Sequence, residues 1–447
     1  MRRIFLSFLG TTNYFPVNYY SKKTASKVKN VRFVQEALVQ WQCSDWGKLD
    51  HILIMTTDES RTKNWDDNGH EDRKGNRLTF EGLQTRLRKL SLKAKIQNIN
   101  IPVGRNEGEI WEIFDTLIEQ LKEEDELYLD VTHSFRSLPL LAMVTLNYAK
   151  VMKGINVKAI HYGAMEALGY PWEIEKMELE ERSIPVFDLL PFDQLLDWSV
   201  AIDRFLASGD AKMVREVAGR ALIPVLAKCK GQNIEARDLR PLAKNLGEYT
   251  EVMATCRGLR ISEVANALKV SLERVQHQKV VKPLKPMLKK LRDSVSQFTG
   301  NEVNDGIAAA RWCARHNLVQ QGFTIMAETS TTYIVEQALG EGMHEQDTRD
   351  LVNMALKILK NKLPLDDWDE KARAQEKKTQ KIIDWFVPQE ALRGALKNLT
   401  NYRNDLNHAG HKDNPMSANK FSAKLDELVF FFEELIHNQG DPVGDQT

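Results

Sequence analysis

Short apolar runs of strand length alternate with helix-length amphipathic stretches up to about residue 185, and after Pro191 the strand-length runs stop. This change of period constrains the fold more than any other feature of the chain. Residues 4–9, 51–56, 127–131 and 155–161 are compact apolar runs, whereas 28–40, 81–94, 109–121 and 138–152 repeat apolar residues at helical spacing. Strands that are apolar on both faces and separated by helices predict a parallel sheet covered on both sides, a Rossmann-like layout. Residues 173–180 and 183–188 alternate like the two arms of a hairpin.

The remainder reads as all-helical: 195–205, 211–228 and 261–298, then 308–319, 321–339, 347–359, 377–386, 389–408 and 417–438. Pro283 and Pro286 predict a break or kink in the third of these. Residues 366–381 are densely charged and read as an exposed face or loop, and 440–447 as a disordered tail. The fold class is therefore α/β plus all-α. A Rossmann-like domain spans 1–188, a helical connector 189–300 and an all-helical domain 301–447, three parts for 447 residues at roughly 150 per domain.

Lys plus Arg and Asp plus Glu both number 62, which excludes a protein that coats nucleic acid through bulk positive charge. Cys43, Cys229, Cys256 and Cys313 are too scattered for a zinc site or a disulfide framework, so a reducing cytoplasm and no metal are expected. The start, Met1-Arg2-Arg3 and an apolar run, mimics a signal peptide but passes into Gly10-Thr11-Thr12-Asn13 with no cleavage pattern. No segment approaches the roughly 18 apolar residues that span a bilayer, so no membrane partner is expected.

Two segments carry chemistry. Arg403-Asn404-Asp405-Leu406-Asn407-His408 closes a predicted helix before Ala409-Gly410. A guanidinium can clamp a phosphate and an imidazole can move a proton near neutrality, which suits metal-free RNA cleavage by attack of the ribose 2′-OH. Residues five apart on one helix lie about 140° apart. Two copies facing across a two-fold axis would therefore form one composite cleft. On their own these residues also fit an exposed helix end. The second segment lies beyond two strand ends, where open α/β sheets bind ligands and helix N-termini attract phosphate. There Ser7, Gly10, Thr11 and Asn13 meet Asp130-Val131-Thr132-His133-Ser134-Phe135-Arg136. No G-x-G-x-x-G is present, which argues against a dinucleotide cofactor, and a hydroxyl-capped helix beside a solvent arginine fits the same residues.

Weaker candidates complete the survey. Arg105, in the polar loop 104–109, faces a ligand or belongs to a helix cap. Lys279, Lys282, Lys285, Lys289, Lys290 and Arg292 form a basic helical face, either an RNA contact or simply solvated. Trp41, Trp46, Trp65, Trp111 and Trp172 read as core or domain-contact residues and His316 as a surface residue. Glu328, on an apolar helix, is placed to hold Arg403, as a partly buried guanidinium requires.

Residues 130–139, DVTHSFRSLP, resemble the D-x-T-H-x-F-R-x-x-P signature of the CARF sensor domain in CRISPR-associated CARF–HEPN ribonucleases of type III systems. His161-Tyr162-Gly163-Ala164 and residues 6–13 fit the same domain, and Arg403 to His408, with Asn404 after the arginine, is similar to the HEPN R-x4-6-H motif. The order sensor, connector, HEPN domain matches along essentially the whole chain. The resemblance implies a cytoplasmic endoribonuclease, metal-independent and specific for single-stranded RNA. It would be held inactive until a cyclic oligoadenylate, most commonly tetra-adenylate, binds across a homodimer or a higher multiple of dimers. It also implies Arg403 and His408 as catalytic with Asn404 in support, and Ser7, Gly10, Thr11, Asn13, Thr132, His133, Ser134 and Arg136 as ligand contacts. Rival functions are a ligand-responsive transcription regulator, which needs a basic recognition helix that residues 377–386 do not resemble, and an enzyme that degrades the cyclic messenger.

Overall fold

The computed structural model describes residues 1–22, 25–72, 74–133, 138–228, 234–276 and 285–440. Contacts divide the chain into two compact units, Met1–Gln194 and Leu195–Thr447.

The first unit contains β1 (Arg3–Phe8), β2 (Val17–Ser21), β3 (Ser26–Val31), α1 (Val34–Gln42), β4 (His51–Thr56), the single turn α2 (Asp58–Ser60), α3 (Leu83–Arg88), β5 (Lys95–Asn100), α4 (Glu107–Gln120), β6 (Glu126–Asp130), α5 (Leu138–Lys153), β7 (Asn156–Gly163), α6 (Pro171–Ile174) and β8 (Ser183–Asp188). One sheet runs β3-β2-β8-β7-β6-β1-β4-β5. Its five strands β7-β6-β1-β4-β5 are mutually parallel. The chain steps outward from β1 to β4 and β5, then returns to β6 on the other side of β1, as in doubly wound folds. Successive side chains of a strand point to opposite faces. Phe5, Leu9, Ile52 and Ile54 therefore enter one apolar cluster, and Ile4, Leu6, Phe8, Leu53 and Met55 enter a second. Both faces are covered, which explains strands with no polar side.

The periodicity predicts four of these strands, β1, β4, β6 and β7, but not β5, whose polar positions make no compact apolar run, and three further strands extend the sheet. β8 is antiparallel to β7, β2 is parallel to β8, and β3 is antiparallel to β2. Three local expectations are corrected here. Residues 28–40 are not one helix: Val28 and Val31 pair with β2, and Asn30 takes a left-handed φ of 55° that ends any helix. The expected hairpin over 173–188 is absent, because Pro171 starts a helical turn closed by Glu173 on the Tyr170 N–H, and β8 pairs with β7 and β2 instead. The helix expected over 81–94 is confined to α3, and its last residues lead into β5.

Helix α7 (Leu190–Ser208) contains the division between the units. The second unit continues with α8 (Lys212–Lys228), α9 (Ile234–Ala254), α10 (Ile261–Gln276), α11 (Lys285–Val295), α12 (Glu302–Arg315), α13 (Val319–Leu339), α14 (Gln346–Asn361), α15 (Glu370–Ala374), α16 (Glu376–Phe386), α17 (Glu390–Asn407) and α18 (Phe421–Gly440). One continuous apolar cluster joins residues from Ala201 to Phe432. Helix α13 is its axis, contacting α12, α14, α16, α17 and α18. Gly306 lets α12 cross α13 closely, since a Cβ there would collide with Thr329. The charged stretch 366–381 is helical rather than a loop, with Trp368, Ala372 and Thr379 buried beneath its lysines and glutamates. His316 is also corrected: it is buried against Trp312 and Phe205, its Nδ1 2.7 Å from the Trp312 carbonyl.

Candidate functional sites

The carboxyl ends of β1 and β6 meet where the strand order reverses, the crevice that open α/β sheets use for ligands. The register sets Ser7 beside Asp130. The Asp130 carboxyl is fully buried and accepts from Ser7 Oγ (2.7 Å), Thr132 Oγ1 (2.6 Å) and the Thr132 N–H (3.0 Å). Burial raises its pKa against the opposing pull of those bonds. Thr132 Oγ1 also accepts from the Gly163 N–H (2.8 Å), so one carboxyl ties together the ends of β1, β6 and β7. Ser7 is corrected from ligand contact to internal brace. It has no exposed surface, and its hydroxyl both donates to Asp130 and accepts from Gln35 Nε2 (3.0 Å).

The loop after β1 is clamped from its inner side. A π-helical turn, Arg61–Trp65, follows β4, and from it Asn64 Nδ2 donates to the carbonyls of Gly10 and Thr12, each at 2.9 Å. Such turns recur at functional positions. Asn13 Oδ1 accepts from Arg32 (2.9 Å), whose Nε donates to the Tyr14 carbonyl (2.8 Å) and whose guanidinium lies 4.3 Å from the centre of the Phe80 ring. A Cβ at Gly10 would collide with the Tyr14 hydroxyl, so this position needs glycine. Thr11 is half-buried, and Thr12 and Asn13 are exposed.

The Tyr14 ring lies 4.4 Å from that of His133. His133 Nε2 is buried and has no hydrogen-bond partner among the described residues, and burial lowers the imidazole pKa to about 4. The ring is thus neutral near pH 7, and an orphaned buried nitrogen of this kind calls for a partner. Ser134 and Arg136 lie outside the described residues. Arg105 is exposed beyond β5, two strands from β1, while its backbone N–H and that of Gly104 are held by Glu109 Oε2 (2.9 and 2.8 Å). The backbone of that loop is a helix cap, and the Arg105 side chain is left outward. Asn64, Arg32 and Gln35 were not legible as site residues: each acts through a contact across at least 18 positions of sequence, with no local motif.

In the second unit, Arg403 sits near the end of α17, and His408 caps it, exposed, with its N–H on the Asn404 carbonyl (2.9 Å). Asn404 is exposed as well. The chain reverses through Ala409 and Gly410, both at positive φ, and the loop beyond is pinned to the buried Asp405, which accepts from the Met416 N–H (2.9 Å) and pairs with Lys412 (3.4 Å). Glu328 on α13 does hold Arg403, Oε1 to NH2 at 3.6 Å. Its other oxygen lies 2.9 Å from Arg349 NH2, a contact the sequence did not suggest. Arg403 Nε is buried and unbonded. A cavity of about 290 Å³ opens beside Arg403, with Arg349, Ser330, Thr331, Asn353 and Thr400 among its lining. A partly exposed guanidinium and an exposed imidazole are the groups needed to neutralise a phosphate and transfer a proton.

Of the other candidates, Lys289 and Lys290 are exposed, whereas Lys279 and Lys282 lie outside the described residues. Trp46 and Trp65 are core residues as expected, whereas Trp111 and Trp172 are exposed. Among the described residues, no group of three or more His, Cys, Asp or Glu is placed to hold a metal, and no helix is long and apolar enough to cross a membrane.

Residues 4–166 match the family model described as CRISPR system endoribonuclease Csx1, CARF domain. The chain is also 32% identical over 120 residues to the CRISPR-associated protein MJ1674 of Methanocaldococcus jannaschii, a match covering 26% of this chain and 17% of that protein. The match therefore spans just under a fifth of the length of that relative. The two matches support a CRISPR-associated protein that carries a CARF domain in its N-terminal unit.

Proposed function

We propose that this chain is a cyclic-oligoadenylate-activated endoribonuclease of type III CRISPR defence, with a CARF sensor (1–188), a helical connector (189–300) and a HEPN ribonuclease domain (301–447). The observation that carries the enzymatic part is Arg403: its partly exposed guanidinium is held at NH2 by Glu328, five residues before an exposed His408. CARF domains bind cyclic oligoadenylate in general, and the orphaned His133 nitrogen and the clamped Gly10–Asn13 loop supply donors and acceptors at the ligand crevice.

In the reaction, the ribose 2′-oxygen attacks the adjacent phosphorus and the bond to the 5′-oxygen breaks, leaving a 2′,3′-cyclic phosphate and a 5′-hydroxyl. Two copies of His408, one per protomer, would take the proton from the attacking hydroxyl and give one to the leaving oxygen. Arg403 would stabilise the charge that builds on the five-coordinate phosphorus, and Asn404 would support it. A dimer has a face ready for it. Leu140, Val144, Tyr148 and Val151 lie along one side of α5, 72%, 54%, 44% and 83% exposed, and Trp111 of α4 joins them through Phe114. Apolar side chains at that spacing on an outer helix suit an isologous contact with a second copy.

The test is cleavage of a labelled single-stranded RNA by the full chain in EDTA, with cyclic tri-, tetra- and hexa-adenylate supplied in turn. Cleavage is expected only with activator, tetra-adenylate first among them. Arg403→Ala and His408→Ala should both abolish it while leaving activator binding intact. Cleavage retained by His408→Ala would refute the catalytic assignment, and a DNA gel shift without RNA cleavage would favour a transcription regulator. Linear adenylates appearing in the mixture would reveal messenger degradation.

A further inference from the structure

The Arg403 guanidinium does not stand alone. Behind it, Arg349 on α14 makes four bonds: NH1 donates to Thr332 Oγ1 (2.9 Å) and the Met343 carbonyl (2.7 Å), and NH2 to the Glu328 carbonyl (3.0 Å) and to Glu328 Oε2 (2.9 Å). Its side chain is only 15% exposed. Thr332, Met343 and the Glu328 carbonyl orient the planar fork, and the fork in turn bonds the half-exposed Glu328 carboxylate. The remaining Glu328 oxygen then faces Arg403 at 3.6 Å, looser than the Arg349 contact. The contacts run outward from a nearly buried arginine, through a half-exposed carboxylate, to a partly exposed arginine held at NH2.

We infer that Glu328 and Arg349 are positioning residues of the ribonuclease site: Arg349 locks Glu328, and Glu328 holds the Arg403 guanidinium by one edge so that its other donors meet the RNA phosphate. This rests on the ribonuclease function proposed above. A carboxylate with no backing would follow Arg403 into solvent, and a long, partly exposed arginine would spend much of its time elsewhere, because ordering such a side chain costs rotamer entropy. Glu328 and Arg349 also line the cavity beside Arg403.

The experiment compares wild type, Glu328→Gln, Arg349→Gln and the double variant in the activated full chain, reading kcat and KM for RNA, thermal melting, and phenylglyoxal labelling of Arg403 by peptide mass spectrometry. Loss of positioning should lower kcat roughly ten- to a hundredfold in each single variant with KM nearly unchanged. The double variant should be no worse than the poorer single one, because both cut the same chain of contacts. Arg403 should label faster in Glu328→Gln than in wild type, with melting unaltered. Glu328→Asp should recover part of the lost kcat. Full kcat in Glu328→Gln, additive losses, or activator-free cleavage by that variant would overturn the inference, the last because it would make Glu328 a restraint. If wild type cleaves no RNA, the ribonuclease function fails; equal labelling of Arg403 in wild type and Glu328→Gln would separately overturn the positioning contacts.

Discussion

Replacing Asp130 with alanine removes the acceptor for three donors: the buried Ser7 hydroxyl and the half-buried Thr132 hydroxyl and N–H. At about 1 kcal/mol per lost bond, and more where a buried donor stays unpaired, the cost should be about 3–5 kcal/mol. The first unit has 194 residues, for which each kcal/mol moves the melting midpoint by about 2–4 °C, so the shift should be roughly 6–20 °C. Asparagine should behave differently. Its oxygen can keep both Thr132 bonds, its amide can donate to Ser7 Oγ, and the Ser7 proton can turn to the Phe8 carbonyl 3.4 Å away. The variant also relieves the burial of a charge, and its cost should stay below about 1 kcal/mol.

The pH dependence of this pair has a definite sign. Burial raises the folded-state pKa of Asp130 above its ordinary value of 3.8. Its contribution to stability is therefore complete below about 3.8 and is lost as pH rises through the folded-state value. Wild type should compare best with Asp130→Asn in acid, and the gap should shrink or reverse toward neutrality. Differential scanning calorimetry of the full chain, following the transition of the N-terminal unit from pH 4 to 8, measures both effects. Asparagine as damaging as alanine at pH 7 would show that the negative charge itself is required, and the argument from hydrogen-bond count would fail.

Three further predictions follow from the two sites. His133, with its pKa lowered to about 4 by burial, should stay neutral on the working side of pH 6. Activator affinity measured by calorimetry should then be flat from about pH 6 to 8, while stability falls as pH drops from about 6.5 toward 4; a step in affinity near pH 6.5 would contradict the burial. Val151→Asp, at the most exposed position of the α5 face, should convert a dimer to monomer in analytical ultracentrifugation and abolish RNA cleavage, with melting changed by no more than a few degrees. Asp405→Ala should cost about 2 kcal/mol and release the loop held through Met416 and Lys412. Because that loop follows His408 directly, kcat should fall as well, and an unchanged kcat would detach the loop from the site.

What the sequence by itself determined is what depends on neighbours a few residues apart. Apolar period marks β1, β4, β6, β7 and most of the long helices, and both motif-bearing segments stand at element ends where their residue types predict them. Only the tertiary structure decided the rest, because those decisions are made by partners far along the chain. Residues 26–31 carry apolar spacing that suits a helix, and pairing with β2 makes them a strand. Ser7 has the hydroxyl of a ligand contact, and the register that sets it beside Asp130 turns it inward. Asn64 and Arg349 have no distinguishing neighbours in sequence, yet each supplies a buried polar group with partners it finds only after folding. Local pattern reports which face of an element is apolar; which polar group satisfies which is a matter of long-range geometry.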